Sequence, residues 1–147
     1  MHIRDLEKDD LTVLTASGID TRTFLRPHHR VHLAMNPDIV GLVFWRATPL
    51  PQPAYLKRVL VTSHAPENTL HRLVLHAAIA AQSEGYTHAI FDVASRALLD
   101  RLIRQYGIMP MPNGVDPETR KPLSWTHIIE LKDALGILER LLPASPS

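Results

Sequence analysis

The sequence predicts a single α/β (α+β) domain, and three observations carry that expectation. A chain of 147 residues of which 45% are apolar has material for one hydrophobic core and not for two. Two apolar runs, Val31 to Met35 and Ile39 to Arg46, flank Asn36-Pro37-Asp38, the pattern of two strands joined by a tight turn. Beyond Pro66, Leu70, Leu73, Val74, Ala77, Ala78 and Ala81 recur at helical spacing, with strand-like runs on either side.

The remaining elements follow in order. Residues 2 to 6 alternate as a short strand, and Asp9-Asp10 supply caps for a helix carrying Leu11, Val13 and Leu14, ended by Gly18. From Ser17 to Arg30 there is no clean periodicity, so a loop or short helix around Phe24 and Leu25 is expected. The Thr48-Pro49-Leu50-Pro51-Gln52-Pro53 stretch ends the hairpin's second strand, because proline has no N–H to offer a ladder. Tyr55 to Thr62 resumes as a strand. Pro66 suits the first turn of the long helix, and Gly85 closes it. His88 to Val93 reads as a strand. Ser95 then caps a helix with Leu98, Leu99, Leu102, Ile103 and Tyr106 on one side, stopping at Gly107. Strands are expected at Ile108 to Met111 and Ser124 to Leu131, joined by the polar stretch 112–122. A last helix follows from about Asp133 to Leu142, so residues 1–142 form one domain and 143–147 a tail.

Composition excludes several function classes. The net charge is +1, from 16 Lys+Arg against 15 Asp+Glu, and without a basic stripe no nucleic-acid partner is expected. The absence of cysteine removes disulfides, thiolate metal sites and a cysteine nucleophile together, and suits a reducing compartment. The N-terminus is charged where a signal peptide is apolar, and no apolar run approaches the ~20 residues that span a bilayer. These features point to a soluble, cytoplasmic protein without a membrane partner. Nine histidines raise the question of a metal, particularly at His28, His29 and His32. None lies in an H-E-x-x-H arrangement, so no metal site is expected.

The order of elements resembles the GNAT superfamily of acyl-CoA-dependent N-acetyltransferases over nearly the whole chain. The family motif V-x-P-x-x-[RQ]-G-x-G-x-[GA], whose amides cradle the pyrophosphate of acetyl-CoA at a helix N-terminus, has its ungapped counterpart in Val61-Thr62-Ser63-His64-Ala65-Pro66-Glu67-Asn68-Thr69-Leu70-His71. Val61 and Leu70 are in register. Every glycine is absent, Pro66 stands where Arg or Gln would be, and Glu67 adds a negative charge whose repulsion of a phosphate is on the order of a few kcal/mol in a partly screened cleft. The family's Tyr, which protonates the departing thiolate, is matched by Ile103, which cannot donate a proton.

The resemblance implies a mixed, mainly antiparallel central sheet of about six to seven strands with helices on both faces. It implies acetyl transfer from acetyl-CoA to an amine, with Val59, Val61, Ser63, Asn68, Thr69, His71 and Arg72 around the cofactor. His64, Asp92 and Glu67 are the candidate bases, His64 and Asp92 being preferred. His64 and Glu67 as ordinary turn residues, and Asp92 as a cap or ion-pair partner, is the bland alternative. Arg96, Arg101 and Arg104 are read as a solvated face. Trp45 beside Phe44 is expected to put one ring in the core, with Trp45 also a candidate interface anchor. Two functions stay open: an active N-acetyltransferase, or a catalytically inactive GNAT-fold module with a degenerate active site. The second would act through a protein partner or self-association, as in a phage particle or larger complex.

Overall fold

The computed structural model describes residues 1–92, 126–132 and 135–136. One six-stranded sheet holds its strands in chain order: β1 (His2–Asp5), β2 (His29–Met35), β3 (Ile39–Arg46), β4 (Ala54–Val61), β5 (His88–Asp92) and β6 (Thr126–Glu130). Helix α1 (Asp10–Ala16) joins β1 to β2, and α2 (Thr69–Ser83) joins β4 to β5. Every neighbouring pair is antiparallel except β4 and β5, because a helical crossover returns the chain to the end from which it started. The expected mixed, mainly antiparallel sheet is therefore present. The elements predicted within 93–125 and beyond 136, including Ile103 and the Arg96 to Arg104 face, lie outside the described residues.

Strand alternation distributes the core between two faces. Val31, Leu33, Leu42 and Phe44 pack with Leu14 of α1 and with Phe24, whereas Ala34, Val43, Trp45 and Ala54 pack with Leu73, Ala77 and Ala81 of α2. Both faces are covered, so Phe44 and Trp45 are both buried, one on each side. The expectation that only one of them enters the core is corrected, and Trp45, 2% exposed, is no surface anchor for a partner.

Local chemistry sets the helix positions. The Asp9 side chain makes no cap bond. Asp10 instead accepts the Glu7 amide at 2.7 Å and both Arg4 guanidinium nitrogens at 2.8 Å, tying α1 to β1. The Arg4 hydrogen bonds hold the Asp10 carboxyl below the usual range, against the opposing effect of burial. Helix α2 begins at Thr69, three residues after the expected Pro66, because the Pro66 carbonyl accepts both the Thr69 amide (3.2 Å) and its hydroxyl (2.6 Å) in a preceding turn. It ends as expected before Gly85, whose φ of +101° suits glycine. Gly41 of β3 lies beneath α2: a Cβ there would sit 2.9 Å from the Leu60 carbonyl oxygen and 2.9 Å from Leu73 Cδ1. The helix approaches the sheet this closely only over a residue without a side chain.

Among the described residues no helix is long and apolar enough to cross a membrane.

Candidate functional site

The end of β4 leads past its pairing with β5 into the turn before α2. Their parallel ladder joins Ala54 to Ala89, Tyr55 to Ile90 and Leu56 to Phe91. Asp92 still pairs with Thr126 of β6, but among the described residues it has no partner on β4. The other side of β4 carries an irregularity. Trp45 of β3 faces Leu56 and Phe44 faces Arg58, so Lys57 is an extra residue with no counterpart. Such a bulge bends the strand that carries it, and here it falls one residue past the last β4–β5 pair. The stretch from Lys57 to Val61, roughly 13–17 Å of strand, is the part of β4 beyond that ladder.

That stretch leads into the turn before α2. Thr62 is tied to Val40, Ala65 to Thr62 and Thr69 to Pro66 through backbone bonds. The amides of Ser63, His64, Glu67 and Asn68 make no hydrogen bond among the described residues. Asn68 has φ +69°, the left-handed conformation, and makes no side-chain cap bond to the helix. A left-handed residue before a helix turns successive N–H groups toward one concavity, which suits an anion. Asn68 takes this conformation without being glycine, and the turn keeps donors that are unpartnered among the described residues.

The residues expected at the cofactor separate accordingly. Val59 turns its side chain into the α2-face core, leaving its backbone on β4. Val61, Ser63, His64 and Glu67 are exposed, and Asn68, His71 and Arg72 are half-buried. Thr69 is buried, and both its amide and its hydroxyl are spent on Pro66, the hydroxyl lying also 3.3 Å from Met1 Sδ. Asp92 is the last described residue of β5, and only its backbone position falls within the described residues.

Compared with solved structures, the chain aligns with a GNAT-family acetyltransferase from Staphylococcus aureus Mu50 over 88% of its own length and 98% of that chain, at TM-score 0.67 and 13% identity. The chain has the GNAT fold. The ribosomal-protein-S18-alanine N-acetyltransferase of Escherichia coli matches over 88% of this chain and 93% of its own, at TM-score 0.67 and 14% identity. A protein from Bacillus anthracis strain Ames, provisionally assigned as a streptothricin acetyltransferase and solved with acetyl coenzyme A, matches over 88% and 98% at TM-score 0.66 and 12% identity. No protein-family model matches the sequence, and no curated protein matches it significantly.

A second polar group in this GNAT-fold chain escaped the sequence reading. Trp45 Nε1–H donates to His32 Nε2 at 2.9 Å inside the α2-face core. Indole nitrogen only donates, so His32 Nε2 carries the lone pair and Nδ1 the proton, which it gives to Asp5 Oδ1 at 2.7 Å. The His76 ring packs edge-on against His32 at 4.7 Å. Asp5, His32 and His76 place ligand atoms within 4.8 Å of one another. A metal on His32 Nδ1, however, would force the proton to Nε2, against the indole N–H. Of the other histidines singled out, His29 Nδ1 is 2.7 Å from the Thr23 carbonyl oxygen, and the His28 ring packs against His29.

Burial, and secondarily the nearby His32, lower the pKa of His76 below 6.5, while Asp5 opposes them. Between 6.5 and that lower folded value the unfolded chain binds more protons than the folded one, so stability rises with pH. Thermal melts should show stability fully present above about pH 6.5 and declining below it, with a shallower decline in His76→Gln. Parallel pH profiles for the two proteins would show that His76 is not responsible.

Proposed function

We propose that this chain is an acyl-CoA-dependent N-acetyltransferase with one domain over residues 1–142, transferring acetyl from acetyl-CoA to an amine. The observation that carries this reading is the turn after β4, whose amides at Ser63, His64, Glu67 and Asn68 have no partner among the described residues, at the N-terminus of α2 in a GNAT-fold sheet. Phosphate groups suit those amides and the positive end of α2, with Arg72 one helical turn in and His71 beside it. The β4 backbone from Val59 to Val61 offers the peptide groups that an extended pantetheine amide chain needs. Acetyl-CoA supplies the acyl group activated as a thioester. The protein's share of the chemistry is to orient the thioester, exclude competing water and accept the proton of the incoming ammonium, for which His64 and Asp92 are the candidates. When the amide bond forms and the carbon–sulfur bond breaks, the thiolate takes its proton from solvent, since Ile103 has none to give.

The neighbour that acetylates an alanine of ribosomal protein S18 and the one solved with acetyl coenzyme A support the cofactor and the amine class. Glu67 and the absent glycines weaken phosphate affinity, and Asn68 restores part of the required backbone shape. Isothermal titration should give saturable acetyl-CoA binding in the micromolar to millimolar range, on the order of the usual KM scale. Absence of heat at millimolar cofactor would end the enzymatic reading and leave a non-catalytic module.

A further inference from the structure

The polar group around His32 is built from three elements, and the order of its hydrogen bonds fixes what each member can do. Asp5 of β1 is directly opposite His32 of β2, and side chains opposite each other on paired strands share a face. The Trp45 indole, which only donates, occupies the lone pair of His32 Nε2 at 2.9 Å. The His32 proton is therefore on Nδ1 and points at Asp5 Oδ1, 2.7 Å away. That bond takes one carboxylate oxygen. The other, Asp5 Oδ2, has no partner among the described residues.

His76 of α2 completes the group. Its ring is half-buried and packs edge-on against His32, with centres 4.7 Å apart, and neither ring nitrogen makes a hydrogen bond among the described residues. Asp5, His32 and His76 place one ligand-type atom each within 4.8 Å of the others. Bonds of ~2.0–2.2 Å to a tetrahedral metal hold ligand atoms about 3.4 Å apart. Asp5 is free to make that adjustment, since its side chain is 82% exposed. His32, 6% exposed, cannot ligate without turning a second N–H against the indole, but it can support: ligating carboxylates are themselves hydrogen-bonded.

Two of the neighbouring cations are neutralised. Arg4 of β1 pairs with Asp10 at 2.8 Å, and Arg30 of β2 with Glu84 at 3.0 Å. Arg72, one turn before His76 on α2, makes no ion pair among the described residues. Its charge opposes a cation, so the ion is held weakly enough to exchange with solution.

We infer that Asp5 Oδ2 and a ring nitrogen of His76 bind a divalent cation of the zinc class, with His32 orienting the carboxylate and water filling the remaining positions. Imidazole beside a carboxylate suits zinc, nickel or copper, whereas magnesium demands oxygen ligands. The ion clips β1, the four-residue strand at the end of the described sheet, to α2. The clip lies two helical turns from Thr69, whose Oγ1 is 3.3 Å from Met1 Sδ. This role is structural and independent of acetyl transfer.

The test titrates zinc chloride into the full chain, free of any histidine tag, by calorimetry, with magnesium chloride in parallel and melting temperature as a second readout. Zinc should bind saturably at one ion per chain and raise the melting temperature, and magnesium at the same concentration should do neither. Asp5→Asn keeps an oxygen for His32 Nδ1–H and so keeps the fold. It and His76→Gln should each lower zinc affinity at least about tenfold and remove the rise in melting temperature. His32→Gln should lower affinity about tenfold through loss of the carboxylate's support, whereas His88→Gln, at an exposed histidine of β5, should change nothing. Undiminished affinity in Asp5→Asn or His76→Gln would overturn the inference by showing that other histidines take the ion. No saturable zinc binding, or magnesium binding as tight as zinc, would overturn it as well.

Discussion

Deleting Lys57 is expected to reduce acetyl-CoA affinity at least about 100-fold, some 2.7 kcal/mol, while the domain stays folded. Lys57 is the extra β4 residue between two that are paired with β3. Without it, Leu56 opposite Trp45 and Arg58 opposite Phe44 become consecutive. Leu56 packs toward α2 and Arg58 projects toward α1, so regular alternation is restored and no apolar residue changes face. The β3–β4 register from Gly41 to Phe44 and from Trp45 to Arg46 survives. What goes is the bend in the strand that leads into the turn before α2. Lys57→Ala keeps the extra residue and should bind acetyl-CoA within about threefold of the natural protein, a change of under 1 kcal/mol. Titration of both variants, with melting temperatures as the check on folding, decides the matter. A deletion variant that binds as well as the parent would show that the bulge does not position the turn for the cofactor.

The same comparison marks what was legible in the chain. Periodicity located α2 and the β3 bounds Ile39–Arg46, because both are buried against many neighbours and their apolar spacing is dictated locally. The bulge was not legible: it is a mismatch between two strands, and nothing in Leu56-Lys57-Arg58 alone says which residue lacks a partner. The search for a phosphate cradle looked for glycine and found none. The signal present was Asn68, since asparagine is among the few residues that enter the left-handed region readily. His32 was weighed as a possible ligand from its clustering with His28 and His29. Its actual partners, Asp5 and Trp45, stand 27 and 13 positions away and meet it only once β1, β2 and β3 are paired. Trp45 was legible as a packing residue or an interface anchor, but burial of Phe44 and Trp45 together was not, because coverage of both sheet faces follows from α1 and α2 docking on opposite sides.

Leu73→Ala is expected to destabilise the domain by about 2–5 kcal/mol, the range for a fully buried leucine. Leu73 is 0% exposed and lies where α2 comes nearest β3, its Cδ1 against the space above Gly41. Gly41→Ala alone should cost about 1–3 kcal/mol, because the new methyl meets both Leu73 and the Leu60 carbonyl and well-packed cores resist such insertion. The two changes share one space, so they should not add. Trimming Leu73 removes one of the two clashes at residue 41, and the alanine methyl fills part of the void at residue 73. The double variant should recover about 1 kcal/mol relative to the sum. Recovery should not be complete, since the Leu60 carbonyl belongs to the backbone of β4 and cannot rotate away without breaking its pairing with Leu42. Urea unfolding of the four proteins measures this cycle. Strict additivity would mean that α2 shifts off the sheet in the single variants, and that its close seating over Gly41 is not what fixes the helix start.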